Sequence, residues 1–109
     1  MSEASQIDIP PSFVALFVPP GKTRPIASHT VIAARYELCE DLAQTLLPTA
    51  TQLQLMRDLH ARTVLAQCLQ ALCGPDAVIE PQEARWVVCR LAELLGWEQP
   101  VFSAGDAAV

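Results

Sequence analysis

Apolar side chains recur along this chain at helical spacing in several stretches, and proline and glycine separate them. The first stretch runs from His29 to Leu47, with Ser28 placed as an N-cap. At ~100° per residue, Val31, Ile32, Leu38, Cys39, Leu42, Ala43 and Leu46 share one face, with Glu37, Glu40, Asp41 and Gln44 opposite. Pro48 follows, which predicts a stop. Thr49-Ala50-Thr51-Gln52 then reads as a capping box, so a new helix is expected from Ala50.

Between Ala50 and Cys73 the apolar phase jumps. Leu53, Leu55, Met56 and Leu59 lie on one side, whereas Ala61, Val64, Leu65, Cys68, Leu69 and Leu72 lie about half a turn away. One straight helix would bury one set and expose the other. The pattern therefore predicts a break near Leu59-His60-Ala61, and Gly74-Pro75 ends the segment after it. The best-marked helix starts at Pro81 and stops at Gly96, after which Trp97 can fold back onto Leu91 and Ala92. Its core stripe contains Ala84, Val87, Val88, Leu91, Ala92, Leu94 and Leu95.

Upstream, Pro10-Pro11-Ser12-Phe13-Val14-Ala15-Leu16-Phe17-Val18 fits either a two-turn helix or a short buried strand, because so short a run does not separate the periods. The reading is an all-α fold: a compact bundle of about four helices plus a short N-terminal helical or extended segment. Residues 10–97 form one domain, with a loose N-terminus over 1–9 and a flexible tail over 98–109.

Composition narrows the function classes. With 12 acidic and 7 basic residues the net charge is −5, which disfavours nucleic acid as a partner because that binding needs clustered Lys and Arg. The longest apolar run, Phe13–Val18, is far shorter than the ~20 residues of a membrane span, so no membrane association is expected. The polar N-terminus lacks the pattern of a secretory signal, and a cytoplasmic location with Cys39, Cys68, Cys73 and Cys89 as free thiols follows.

Most chemical motifs fail their spacing tests. Gly21-Lys22-Thr23 resembles the end of a phosphate-binding loop, but Leu16 stands where the first glycine belongs. His29, His60 and the scattered cysteines form no metal-ligand pattern, and Asp76–Glu80 has too few oxygen ligands for calcium. No catalytic grouping emerges, so neither a cofactor nor a metal is expected, and the chain leans away from being an enzyme.

Two side chains resist a purely structural reading. Arg35 falls on the apolar face of its helix, where a guanidinium pairs with an acidic side chain from another helix, snorkels outward, or lines a pocket for an anionic ligand. Trp86 falls opposite the core stripe of its helix, among Gln82, Glu83, Arg90 and Glu93. This is the composition of an interface anchor, unless the first long helix or the N-terminal segment covers the ring. Trp86, Arg90 and Glu93 are thus the candidate partner-binding residues, for another protein or for a symmetry mate in a homodimer. The acidic Glu37, Glu40 and Asp41 offer a second candidate surface.

The strings Ile9–Val18, Ala34–Ala43 and Arg85–Trp97 resemble a family of short uncharacterised proteobacterial helical proteins, over most of the chain. Some members carry the label "ATPase with chaperone activity". The resemblance implies a bacterial protein that is accessory to a larger complex such as a chaperone ATPase. It assigns no site residues. The functional expectation is a small helical interaction or adaptor protein; the alternative is a ligand-binding or enzymatic domain around Arg35.

Overall fold

Prolines at positions 10 and 11 decide the N-terminal segment. Pro11 supplies a preset helical φ at the first position of a helix, where its missing N–H has no partner to lose. In the computed structural model, which describes residues 8–102, this segment is helix α1 (Pro11–Val14), passing directly into a 3-10 turn over Ala15–Phe17. The N–H groups of Phe13 and Val14 both donate to the Pro10 carbonyl, so the helical alternative holds and the strand does not. A loop follows, closed by the Ile26 N–H donating to the Phe17 carbonyl at 2.8 Å.

Helix α2 spans His29–Arg57, starting at Ser28, whose hydroxyl accepts from the Val31 N–H at 3.2 Å. The expected stop at Pro48 does not occur: the helix runs through the proline, and the two helices read on either side of it are one. Local chemistry alone disfavours this by roughly 3 kcal/mol. Packing overrides it, because Ala43 and Ala50, one on each side of the proline, are both fully buried on the inner face while Pro48 points outward. The Thr51 hydroxyl donates to the Leu47 carbonyl at 2.9 Å in place of acting in a cap.

The break expected near residues 59–61 is present. Asp58 ends α2 in the left-handed conformation at φ 53°, and α3 (Ala61–Leu72) begins after His60. The four leucine and methionine residues before the break are not a common core set. Leu53 and Leu59 pack against the core, whereas Leu55 and Met56 face solvent. Among the described residues, nothing further along the chain covers that side of α2.

Helix α4 (Pro81–Leu95) has the predicted bounds. Its end is a Schellman motif: Gly96 takes φ 73°, its N–H donates to the Glu93 carbonyl, and the Trp97 N–H donates to the Ala92 carbonyl at 2.9 Å. α4 is the central element, packed against α2, α3 and α1. One side of its stripe joins Phe13, Ile32, Cys39 and Ala43 in a first core cluster; the other joins Ala50, Val64, Leu65 and Cys68 in a second. The result is the all-α bundle anticipated from the periodicity.

Residues 1–7 and 103–109, which contain most of the expected loose ends, lie outside the described residues. Part of the remainder packs: Ile9 lies against the first cluster, Phe102 against the second, and the Gln99 amide donates to the Cys89 carbonyl, while Val101 is exposed. Packing thus extends beyond the 10–97 boundary on both sides.

Candidate functional site

Arg35 leaves the apolar face of α2 with a guanidinium that has to find an acceptor. It finds Glu83, in the first turn of α4, where a carboxylate also suits the helix dipole. Nε donates to Glu83 Oε2 at 2.9 Å and Nη2 to Oε1 at 2.7 Å, and Nη2 also reaches the Val78 carbonyl at 3.2 Å. Glu83 is 2% exposed, and its Oε1 accepts the Glu80 N–H as well, at 2.8 Å. Burial alone would raise the Glu83 pKa, but the hydrogen bonds from Arg35 and Glu80 and the guanidinium charge outweigh it and hold the carboxyl below its usual range. The hydrogen bond with Glu83 likewise raises the Arg35 pKa. Arg35 therefore occupies a structural ion pair joining α2, α4 and the loop between α3 and α4. The neighbouring Cys39 thiol is pushed up to about 12 by burial first and the Glu83 carboxylate second, against the pull of Arg35, which leaves it protonated and inert.

Trp86 is half-buried, under the N-terminal segment. Phe13, fully buried, meets its ring edge-on with centroids 5.0 Å apart, and Tyr36 from α2 does so at 5.8 Å. Its indole N–H donates to the Ser12 hydroxyl at 3.0 Å. Edge-to-face pairs of this kind each add about 0.5–1.5 kcal/mol beyond area burial, so the cluster clamps α1 onto the body. Arg90 is also engaged: its Nε and Nη2 grip both oxygens of Glu40 on α2, and Nη1 bonds Glu93 at 2.8 Å. Glu93 remains exposed. Trp86, Arg90 and Glu93 do lie on one helix, as expected, yet the first two join helices within this chain.

The acidic face of α2 is reduced in the same way. Glu40 is taken by Arg90, which lowers its pKa, while Glu37 and Asp41 stay exposed. Gly21-Lys22-Thr23 forms an exposed turn beside a shallow hollow lined by Pro19, Lys22, Thr23, Arg24 and Ile26, and no helix N-terminus meets it. No group of three potential metal ligands occurs among the described residues, and none of the described helices is long and apolar enough to cross a membrane.

With those charges consumed, the opposite end of the bundle stands out. Residues 42–75, the second half of α2 and all of α3, hold only Arg57, Asp58 and Arg62 of the chain's 12 acidic and 7 basic residues. That stretch carries +1 and the remainder −6, within a total of −5. The outward side of α2 here is a stripe at i, i+3, i+4 spacing: Thr45, Pro48, Thr49, Gln52, Leu55 and Met56, all exposed. Leu55 is 75% and Met56 80% exposed. Thr49, Gln52, Leu53, Met56 and Arg57 line a shallow groove of about 320 Å3 along its edge. On α3, Thr63, Ala66, Gln67 and Gln70 are likewise exposed and uncharged. Single exposed apolar residues are ordinary, but interfaces are marked by loss of Lys, Glu and Asp together with enrichment in Met, and this surface has both marks. The readable signal is the charge-free run from Leu42 to Met56, in which the periodicity places Leu42, Ala43, Leu46, Leu53, Leu55 and Met56 on apolar faces.

Comparison with known proteins found no family model, no curated protein and no solved structure that matches this chain.

Proposed function

We propose that this protein is a small helical interaction module of the adaptor kind, which docks other protein surfaces through the uncharged end formed by α2 and α3. The observation that supports this is a contrast between the two ends. At the acidic end, charged residues are locked into Arg35–Glu83 and Arg90–Glu40 pairs. At the other, an uncharged stripe ends in Leu55 and Met56, both largely exposed among the described residues. A solvated helix face normally carries charge for solubility, and a face that lacks it suits burial against a partner. Free thiols at all four cysteines suit a reducing, cytoplasmic setting for this role. The resemblance to short proteobacterial proteins supports a larger assembly, such as a chaperone ATPase, as the context.

A photo-crosslinking side chain at Gln52, with Gln82 as the control position, tests the reading in intact bacterial cells. A discrete adduct from Gln52, lost when Leu55→Glu is added and missing from Gln82, is the expected result. No adduct, or equal adducts at both positions, refutes the docking end.

A further inference from the structure

Helix α1 holds to the body through its side chains and to the rest of the chain through a slack loop. Its seat is built by α2 and α4. Tyr36 and Trp86 take the Phe13 ring at centroid distances of 5.7 and 5.0 Å, and Phe13 is fully buried there. The Trp86 indole N–H donates to the Ser12 hydroxyl, and the Gln82 amide donates to the Leu16 carbonyl at 3.3 Å. The loop has no such hold, and every residue from Pro20 to Ile26 is exposed. Residues 18–25 leave the body and return to the same point, because the Ile26 N–H meets the Phe17 carbonyl at 2.8 Å. A turn bond from the Lys22 N–H to the Pro19 carbonyl, at 3.1 Å, folds the excursion back.

The residues of that loop work against its closure. Val18, Pro19 and Arg24 each precede a proline, which drives a residue toward extended backbone, and Val18 already stands at φ −101° and ψ 115°. Opened, residues 18–25 reach up to about 26 Å at ~3.3 Å per residue. That matches the shortest extent of the molecule, 27 Å.

We propose that α1 is an exchangeable clip: the loop opens, and α1 of each of two copies takes the seat on the other, giving a closed symmetric dimer. The occupant follows from fit. The seat receives a Phe ring, a hydroxyl and a carbonyl in one arrangement, and a second copy carries that arrangement unchanged. Each seat is filled alike before and after exchange, so the contacts of α1 cancel. The two states differ in the loop, which gives up two backbone hydrogen bonds whose donors, Lys22 and Ile26, lie in exposed residues and gains the extended form its prolines favour. A short linker holds its own segment at an effective concentration of about 1 mM, so exchange competes when the chain refolds near that concentration. The exchange does not depend on the uncharged end of α2 and α3; its consequence is a particle that carries two such ends.

Refolding the full chain from urea at about 5 µM and at about 1 mM, followed by size exclusion with light scattering, reads the exchange. The 11.8 kDa monomer is expected alone at the lower concentration, joined by a species of twice that mass at the higher. Ile26→Pro removes the donor at the base of the loop, at a side chain 78% exposed, and should raise the dimer fraction about threefold or more. Met56→Glu should leave that fraction unchanged. Phe13→Ala and Trp86→Ala, refolded together at about 1 mM, should emit further to the blue than the two refolded apart. Trp86 of one chain then regains its cover from Phe13 of the other. Phe13→Leu replaces Phe13→Ala if the latter loses its helical circular dichroism. A monomer throughout, with Ile26→Pro included, overturns the proposal. So does a dimer whose mixture emits as the sum of its parts, or a dimer abolished by Met56→Glu, which would place the contact on the outward side of α2.

Discussion

Replacing Arg35 with Met removes the guanidinium while keeping most of the stem that packs on α2. Glu83 then keeps only the Glu80 N–H on Oε1, and Oε2 loses its partner at a position 2% exposed. Removing one member of a buried pair costs about 3–5 kcal/mol. The Arg35 side chain is 32% exposed, so solvent screening places the expected loss at the lower end, about 3 kcal/mol. Against a total stability of about 5–15 kcal/mol for a chain of this size, that is a large fraction. Thermal unfolding should fall by about 12–24 °C, from about 4–8 °C per kcal/mol.

The pH dependence separates an ion pair from simple loss of packing. In the native protein the Glu83 pKa lies below its unfolded value. Its stabilisation is thus complete above the unfolded pKa of about 4.3 and is lost as pH falls through the lower, folded value. In Arg35→Met, burial without the guanidinium raises the folded pKa instead, and the penalty fades as acid protonates the carboxyl. The stability gap between the two proteins, followed by urea unfolding, should shrink between about pH 5 and pH 3. Adding Glu83→Gln should recover more than half of the loss at neutral pH, because no buried charge is left unpaired. A loss under about 1 kcal/mol, a gap constant with pH, or a double variant no better than the single one would show that the pair does not hold α4 to α2.

Two further outcomes follow from the same packing. Brief maleimide exposure of the native protein should label exposed Cys73 first and leave Cys39, buried and with its thiol at about 12, unlabelled until unfolding; peptide mass spectrometry showing early Cys39 adducts would contradict its burial. Phe13→Ala should cost about 3–5 kcal/mol by chemical denaturation and shift tryptophan emission to the red as Trp86 loses its cover, whereas unchanged emission would mean that α1 does not clamp the ring.

How far each feature could be read from residues depended on whether its cause was local. The ends of α4 were legible because Pro81 and Gly96 act within one turn of themselves. Arg35 was legible as a demand for a partner, since a guanidinium on an apolar face permits few solutions, although Glu83 could not be singled out among the acidic residues. Trp86 was not legible: its position opposite the core stripe is correct for α4 alone, and what covers it comes from seventy-odd residues upstream, through Ser12 and Phe13. Leu55 and Met56 failed in the opposite sense. Their apolar character suggested burial, but exposure depends on which elements the chain later places against α2, and periodicity does not contain that.

Pro48 connects these failures. A proline in a helix interior is tolerated where the carbonyl it frees can reach water and where packing on either side fixes the helix direction. Both conditions hold only because the ring sits on the exposed stripe while Ala43 is buried in one core cluster and Ala50 in the other. α2 is therefore a single strut through two cores. The half that shares a core with α1 carries the charged residues and is tied to α4 through two ion pairs, Arg35 with Glu83 and Glu40 with Arg90. The half that packs on α3 is held by apolar contacts, with no ion pair among the described residues, so its lack of surface charge is not a consequence of internal pairing. Solubility would favour charge at Thr45, Thr49, Gln52, Leu55 and Met56, and the fold would accept it, since all five side chains face outward. A requirement outside the fold is what explains their being uncharged, and contact with another protein surface is the requirement that matches.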